Sequence, residues 1–254
     1  KPGVNAWFGT EFNRHNTWFE YMTPWVDYLR RCSVMLQTGN HVADVAYFIG
    51  EDSPKMTGPA DPSLPKGYDF DFINAEIIEK RLRVRNGQFV LPDGQRYRLL
   101  VLPDSETMRP AVLRKLQRLA ARGGTILGPK PACDEDVRKL AEALWKGPRV
   151  LSGIGVNEAL DRMDVPSDVA CPRDILWKHR QDGDSHIYFL SNQTAAERTE
   201  LVSFRETQHV PELWWPDTGK VEPVRSEAND GRTTVALHFD PYGSVFVVFR
   251  KGNA

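Results

Sequence analysis

Cysteine is scarce in this 254-residue chain, and its positions form no motif. The three cysteines, Cys32, Cys133 and Cys171, lack both a C-x-x-C pair and the Cys/His spacing of a zinc ligand set. Their odd number also argues against a disulfide framework, and the six histidines are scattered. We therefore expect no metal site and no cofactor in this chain.

An excess of one charge and long apolar runs are missing as well. Lys and Arg number 33 and Asp and Glu 34, so no net field favours nucleic acid or an acidic membrane surface as a partner. No run of 18 apolar residues occurs, so no membrane-spanning helix is predicted. The chain begins KPGVNAWFG, without a methionine or a signal-peptide pattern, and we expect it to be part of a longer polypeptide. These residues by themselves indicate no cellular location.

The motifs of common nucleotide-binding and nucleophilic α/β enzymes are absent too. IGEDSP, residues 49–54, has neither the glycine spacing nor the Lys-Ser/Thr end of a phosphate loop. The turn after the apolar run 99–102 reads PDSE, without the G-x-S-x-G or G-x-C-x-G of a hydrolase or an amidotransferase-like enzyme. Flavin or nucleotide binding would rest on analogy of fold alone.

Residues 40–168 alternate between strand and helix patterns. The predicted strands are 42–50, 99–102, 125–127 and 149–151, a hairpin turn falls at 92–94, and the predicted helices are 70–82, 110–122, 135–145 and 156–163. Such alternation with short connections predicts an α/β fold, here a flavodoxin-like parallel sheet with flanking helices.

Residues 169–254 contain strand patterns only. Six or seven short runs separated by turns at 182–184, 217–219 and 229–231 predict a small antiparallel β-sandwich, reached through a linker at 165–174. Trp177, Trp214 and Trp215 could form a carbohydrate-stacking platform. Neighbouring residues on a strand point to opposite faces, so at most one of the adjacent tryptophans lies in the core. We favour core or interface positions over a glycan-binding surface.

Residues 1–39 combine a polar loop with an amphipathic helix predicted over 18–37. Thr17 and Glu20 have the spacing of a capping box, and Pro24 indicates a kink or a restart capped by Thr23. The apolar stripe of this helix is very aromatic for a surface helix, so we expect a substantial partner surface. Its members recur at spacings of three and four: Trp18, Tyr21, Met22, Trp25, Leu29, Cys32 and Leu36.

The loop before that helix carries the candidate binding residues. Asn13, Arg14, His15, Asn16 and Trp18 place amide, guanidinium, imidazole and indole groups side by side. Amides and a guanidinium can hydrogen-bond sugar hydroxyls, while an aromatic face covers the apolar C–H patch of a pyranose. The alternative is that Asn16 caps the helix and Trp18 packs without touching a ligand.

Carboxylates cluster at a second place, in the long loop 51–69. This loop follows the first predicted strand, where open parallel sheets bind ligands. As pairs these carboxylates could perform acid–base chemistry, but acidic loop residues are usually solvated, and for residues 40–254 we favour a structural role. The residues concerned are Glu51, Asp52, Asp61, Asp69 and Asp71.

With these residues in view, nearly the whole chain resembles glycoside hydrolase family 106, the α-L-rhamnosidase family, in the segment that follows its catalytic barrel. The resemblance runs through FNRHNTWFEYMTPWVDYL, LPKGYDFDFINAEII, YRLLVLPDSETMRPAVL, IYFLSNQ, PELWWPDTGKVEPV and FDPYGSVFVVFRK, in the expected order.

The resemblance implies an architecture and an activity for the parent protein. It implies a (β/α)8 catalytic barrel upstream of Lys1, with acid and base carboxylates and a calcium ion, then a flavodoxin-like domain and a β-sandwich. It also implies a bacterial, secreted or periplasmic enzyme acting on rhamnose-containing glycans. No catalytic residue transfers to this sequence. The chain is then expected to be an accessory portion, inactive alone, or else a carbohydrate-binding or structural module.

Overall fold

The computed structural model describes residues 16–52, 57–132 and 135–251. Four sheets organise these residues: a five-stranded parallel sheet, antiparallel sheets of six and four strands, and a small antiparallel sheet of three strands. The fold is therefore mixed α/β, with a parallel part followed by an antiparallel part, as the sequence predicts.

Four α-helices and two shorter helical turns occur in the described part of the chain. They are a 3-10 turn Phe19–Tyr21, α1 Thr23–Gln37, a π-helical turn Ile77–Arg81, α2 Pro110–Ala121, α3 Glu135–Trp145 and α4 Val156–Arg162. No helix among the residues described is long and apolar enough to cross a membrane.

Up to α4 the strands are interspersed with these helices, and after α4 they follow one another without a helix. In chain order they are β1 Asn40–His41, β2 Val45–Phe48, β3 Phe70–Ile73, β4 Arg83–Arg85, β5 Gln88–Val90, β6 Arg96–Tyr97, β7 Leu99–Val101, β8 Thr125–Leu127, β9 Val150–Leu151, β10 Val169–Ala170, β11 Ile175–Asp182, β12 Ser185–Asn192, β13 Arg198–Phe204, β14 Val210–Trp214, β15 Val221–Pro223, β16 Ser226–Asn229, β17 Arg232–Phe239 and β18 Ser244–Arg250.

The predicted amphipathic helix exists, but α1 begins at Thr23 rather than at residue 18. Pro24 lies in its first turn, where a missing backbone N–H leaves no hydrogen bond unmade. The N-cap residue is Met22, and it makes no side-chain capping bond. The capping box expected at Thr17 and Glu20 is therefore wrong, because the chain forms a separate 3-10 turn there.

The parallel sheet has the strand order β3-β2-β7-β8-β9. Apolar side chains of its inner strands are buried on both faces, which is typical of a parallel sheet covered by helices. One face packs against α2, α3 and the π-helical turn, and the other against α4 and the segment around Val165.

The helix predicted over 70–82 is wrong for its first half. Phe70 and Phe72 both contact the ring of Tyr47, at centroid distances of 5.2 and 6.2 Å, because they share one face of β3. The pairing of β3 with β2 thus overrides a local pattern that also fits a helix. Helical structure begins only after Asn74, whose side-chain oxygen accepts the N–H of Ile77.

The two larger antiparallel sheets face each other across a single core. One has the order β1-β11-β12-β18-β14-β15 and the other β10-β13-β17-β16. The core between them holds inward side chains of both sheets, such as Tyr188 and Phe249 from the first and Phe204 and Phe239 from the second. The first sheet also takes in β1, since Asn40 pairs with Gln181. The chain thus contributes a strand to the antiparallel part before it enters the parallel sheet.

Candidate functional site

The predicted sugar-binding loop leads into α1. Asn13, Arg14 and His15 lie outside the described residues, whereas Asn16 and Trp18 belong to the 3-10 turn region. The carbonyl oxygen of Asn16 accepts the N–H of Phe19 at 3.1 Å, and that of Trp18 accepts the N–H of Tyr21 at 3.0 Å. The backbone at Asn16 and Trp18 is thereby fixed, and the indole of Trp18 is 38% exposed.

Large apolar side chains continue from this turn along one flank of α1. We call this group the α1 surface. Each member is at least 38% exposed: Trp18, Phe19, Tyr21, Trp25, Val26 and Leu29. A contiguous apolar surface of this kind marks a site of interaction in a soluble protein.

The same apolar stripe, continued along α1, covers the outer face of the six-stranded sheet. Tyr28, Cys32 and Met35 pack there against Phe246 and Val248. Two kinds of polar contact hold the helix in place. The Tyr28 hydroxyl lies 2.9 Å from the Ser244 hydroxyl. An arginine of the same helix is bonded to the loop after β14. The exposed apolar side chains near the start of α1 thus border the same stripe that packs on the sheet.

Two of the predicted loop carboxylates lie together at one histidine. His41 Nε2 is 2.8 Å from Asp69 Oδ2, and His41 Nδ1 is 3.1 Å from Asp71 Oδ1. Lys178 donates to both oxygens of Asp69, at 2.8 and 2.6 Å, and the Tyr97 hydroxyl donates to Asp71 at 3.0 Å. These carboxylates therefore join β3 to the antiparallel part instead of facing each other across a substrate.

The charges of this cluster stabilise one another. Burial alone would lower the pKa of His41, but its hydrogen bonds to Asp69 and Asp71 outweigh burial and raise that pKa to about 9. Burial would likewise raise the pKa of Asp69, yet the bonds from His41 and Lys178 lower it. At neutral pH the site therefore holds an imidazolium between two carboxylates, which is a structural ion cluster.

A third carboxylate, Asp44, is buried just before β2. It accepts hydrogen bonds from Arg98 at 3.2 Å and from Arg205 at 3.1 and 3.2 Å. The Nε of Arg205 also lies 3.9 Å from Asp168, which is only 1% exposed. This network sits at the amino ends of the parallel strands, the edge opposite to the one where such sheets bind ligands.

Two histidines extend the network into the antiparallel sheets. His179 Nδ1 is 2.6 Å from Asp168 and its Nε2 is 2.9 Å from His186 Nδ1, while His186 Nε2 is 3.2 Å from Glu206. Burial lowers the pKa of His186, and the neighbouring His179 lowers it further. The chain of contacts thus runs from Asp168 through both imidazoles to Glu206.

The carboxyl edge of the parallel sheet has a cleft of about 400 Å³. Its described lining residues include carboxylates, Asp61 and Asp104, but no lysine, arginine or histidine. Prolines and glycines form much of the remaining wall. Among these described lining residues, no side chain offers a positive charge to a phosphate group.

The described residues contain no group of three or more His, Cys, Asp or Glu side chains placed to hold a metal ion.

The three tryptophans of the antiparallel part lie at core or interface positions, as the sequence favours. Trp177 and Trp215 pack against the core between the two antiparallel sheets, and Trp214 packs against α1.

Sequence reasoning missed the buried ion network around Asp44. Asp44 interrupts the apolar run VADVAYF, and a charged residue inside such a run is a signal of a buried partner. The partner itself could not be found from the sequence, because Arg205 lies 161 positions away.

Comparison with known proteins gives a consistent result. A family model described as alpha-L-rhamnosidase matches residues 1–228. A rhamnosidase from Novosphingobium sp. PP1Y superposes with a TM-score of 0.86 at 37% identity, over 97% of this chain and 26% of that chain. A Formosa agariphila protein with the provisional name β-glucuronidase is 32% identical over 269 residues, 99% of this chain and 23% of its own length.

A more distant likeness concerns the fold alone. A β-galactosidase from Bacillus circulans superposes with a TM-score of 0.53 at 10% identity, over 94% of this chain and 46% of that chain. The chain spans about a quarter of the length of the Novosphingobium and Formosa relatives.

Proposed function

This chain belongs to glycoside hydrolase family 106, the α-L-rhamnosidase family, and we propose that it is the C-terminal accessory portion of an enzyme that acts on rhamnose-containing glycans. The observation that carries this proposal is the α1 surface. α1 packs on the six-stranded sheet through Tyr28, Cys32 and Met35, while exposed apolar side chains near its start, such as Val26 and Leu29, are available to a partner. The partner in this proposal is a catalytic domain of the same polypeptide.

The chemistry in this proposal belongs to that catalytic domain. Several carboxylates of the described residues are held in ion pairs by His41, Lys178, Arg109 and Arg205. The acid and base carboxylates, and a calcium ion if the enzyme binds one, would then lie outside this chain. The relatives, which are about four times as long as this chain, offer room for such a domain.

Within this proposal the parallel part is a flavodoxin-like domain and the antiparallel part a β-sandwich. The strand order β3-β2-β7-β8-β9 supports the first, and the two facing antiparallel sheets support the second. Neither has to bind substrate. Their role is to carry α1 and the loop before it in a fixed position.

The loop Asn13–Trp18 is the part of this chain that would approach the sugar. Its side chains include two amides, a guanidinium, an imidazole and an indole, and it joins the α1 surface that would dock on the catalytic domain. In this proposal Asn13, Arg14, His15 and Asn16 hydrogen-bond hydroxyls, and Trp18 forms an apolar wall.

The docking role can be tested in the intact polypeptide with Leu29→Glu and Val26→Glu. A buried carboxylate at either position would weaken docking, so hydrolysis of an aryl α-L-rhamnoside should fall by roughly tenfold, and limited proteolysis should separate the two parts faster. Leu201→Glu is the matched control, because Leu201 is 70% exposed on β13, away from α1. Equal behaviour of all three variants would contradict docking through this surface.

The catalytic assignment needs a separate experiment. We expect the isolated chain, once circular dichroism has shown that it folds, to leave an aryl α-L-rhamnoside intact. Turnover that persists through repurification would overturn the assignment of catalysis to another part of the polypeptide.

A further inference from the structure

A groove of about 550 Å³ runs between α1 and the β14–β15 hairpin. Trp214, Trp215 and Phe246 line its sheet side, and Val34 and Met35 line its helix side. Its volume lies in the range of sites that hold small molecules.

The groove and the α1 surface lie on different flanks of the helix. Val34 follows Trp25 by nine residues, about two and a half helical turns, so the two side chains point in opposite directions. A domain that docks on Trp25 and Leu29 therefore leaves the groove open.

A fixed positive charge lies in the groove wall. Arg31 is half-buried, and its Nη1 donates to the carbonyl oxygens of Pro216 and Asp217, both at 2.9 Å. The guanidinium is packed on Gly219, where an added Cβ would come within 3.0 Å of its Nε. Among the described residues no carboxylate lies within ion-pair distance of it, and carbonyl oxygens leave its formal charge uncompensated.

Other basic side chains reinforce this charge. Arg30 and Lys220 also line the groove, whereas Asp27 is its one acidic residue within the described lining. Asp27 accepts a hydrogen bond from Arg30 at 3.3 Å, and Lys220 pairs with Glu222. Counting Glu222, the groove has three cations and two carboxylates, and the excess positive charge, which comes from Arg31, attracts an anion.

The indoles of the groove are held by bonds at their polar ends. Trp214 Nε1 donates to Glu212 at 3.1 Å, and Trp215 Nε1 donates to Glu222 at 2.7 Å. Because these N–H groups already have partners, only the exposed parts of the rings contribute to the groove, as apolar surface. Arg250 lies over the Trp214 ring, 5.5 Å from its centroid, and Trp215 also packs against the core between the sheets. Aromatic surface beside a fixed guanidinium suits a sugar ring that carries an acid group.

We propose that this groove binds an anionic sugar unit, with the acid group on Arg31 and the ring against Trp214 and Trp215. The acid group can be a carboxylate or a sulfate, since a guanidinium donates to both. Binding in this groove is separate from the catalytic role proposed above. It would attach the enzyme to an acidic part of its polysaccharide.

The test compares D-glucose, D-glucuronate and D-glucose 6-sulfate as ligands of the intact polypeptide, since these sugars differ only at C6. Tryptophan fluorescence and calorimetry give the affinities. We expect at least one anion to bind at least about tenfold more tightly than glucose, and added salt to weaken it. The two anions distinguish a uronate site from a sulfate site. Equal affinity for glucose, or no binding up to about 50 mM, would overturn the proposal.

Substitutions of single residues show where on the protein the anion binds. Lys220→Gln and Arg30→Gln, both at exposed positions, should each weaken anion binding about two- to fivefold, and Arg31→Met at least about tenfold. Arg162→Gln on α4 is the control, because its exposed pair with Glu158 lies elsewhere. If Arg31→Met unfolds, Lys220→Gln and Arg30→Gln decide whether the anion binds in the groove. Anion binding that neither of these two substitutions weakens would contradict the proposal. Hydrolysis of a neutral aryl rhamnoside should stay the same throughout, which separates this test from that of the catalytic proposal.

Discussion

Arg205 contacts both carboxylate oxygens of Asp44, at 3.1 and 3.2 Å, and thereby connects the antiparallel part of the chain to the start of the parallel sheet. Asp44 lies just before β2 and is 4% exposed. Burial raises the pKa of Asp44, and the contact with Arg205 counteracts that effect without cancelling it. The same guanidinium also lies near the buried Asp168, so one side chain compensates two buried negative charges.

We predict that Arg205→Met lowers the free energy of unfolding by about 3–5 kcal/mol, because it leaves two buried carboxylates with too little positive charge. Urea unfolding at neutral pH measures the change. Arg162→Gln removes an exposed helical pair and should change stability by less than about 0.5 kcal/mol. A loss for Arg205→Met as small as that of the control would show that the pair between Arg205 and Asp44 is dispensable.

Much of the fold could be predicted from the sequence because its signals are local. Apolar runs bounded by turns predict β2, β7 and β8, and helical periodicity predicts α2, α3 and α4 within one or two residues. The fold departs from the prediction where pairing between distant segments decides. β3 is a strand because it lies beside β2, and β1 belongs to the antiparallel part because it pairs with β11.

The site was less predictable for a related reason. The sequence singled out the apolar stripe of α1, but not which part of that stripe would remain exposed, since that depends on where the six-stranded sheet lies. It also assembled Asp69 and Asp71 as acid–base candidates without revealing that His41 lies between them. Contacts across 28 and 30 positions leave no periodic pattern in a sequence.

The ion cluster of His41 predicts a pH dependence of stability. Its folded-state pKa of about 9 exceeds the ordinary value of 6.5, so the stabilisation is fully present below about pH 6.5 and is lost as pH rises through 9. The shift corresponds to at most about 3 kcal/mol. His41→Gln should therefore be less stable than the wild type near pH 6, and the difference should shrink toward about pH 10.

Urea unfolding over that range measures the difference for His41→Gln and for a control, His238→Gln. His238 is an exposed histidine whose carboxylate neighbours lie at 3.6 and 3.9 Å, so its variant should follow the wild type at every pH. A His41→Gln deficit that stays constant with pH would show that His41 acts through packing and not through charge.

Gly39 connects α1 to β1 and fixes how the helix leaves the six-stranded sheet. Its φ is +61°, and a Cβ at this position would collide with the backbone carbonyl of Gln181. We predict that Gly39→Ala lowers the free energy of unfolding by at least about 2 kcal/mol. Gly153 has a similar φ of +72° but nothing within 4 Å of the added Cβ, so Gly153→Ala isolates the backbone strain at about 1 kcal/mol. Equal losses in thermal or urea unfolding would show that the collision is relieved by a small shift.

The loop before α1 allows the two roles of its polar residues to be separated. In the intact enzyme, His15→Ala or Asn13→Ala should lower kcat/KM for an aryl α-L-rhamnoside by roughly ten- to a hundredfold, because a lost partner strands a buried polar group at about 1–3 kcal/mol. Under the site proposal, the melting temperature should stay nearly the same.

The opposite pattern identifies a scaffolding loop. If a variant lowers the melting temperature while the surviving folded enzyme keeps its kcat/KM, the residue supports docking and touches no sugar. Trp18→Ala is informative here, because Trp18 belongs both to the candidate site and to the α1 surface. If Trp18 forms a wall of the sugar site, Trp18→Ala should raise KM. If Trp18 is a docking residue, the variant should first change the sensitivity to proteolysis. The two measurements on this one variant therefore decide whether the proposed sugar site includes Trp18 or ends at Asn16.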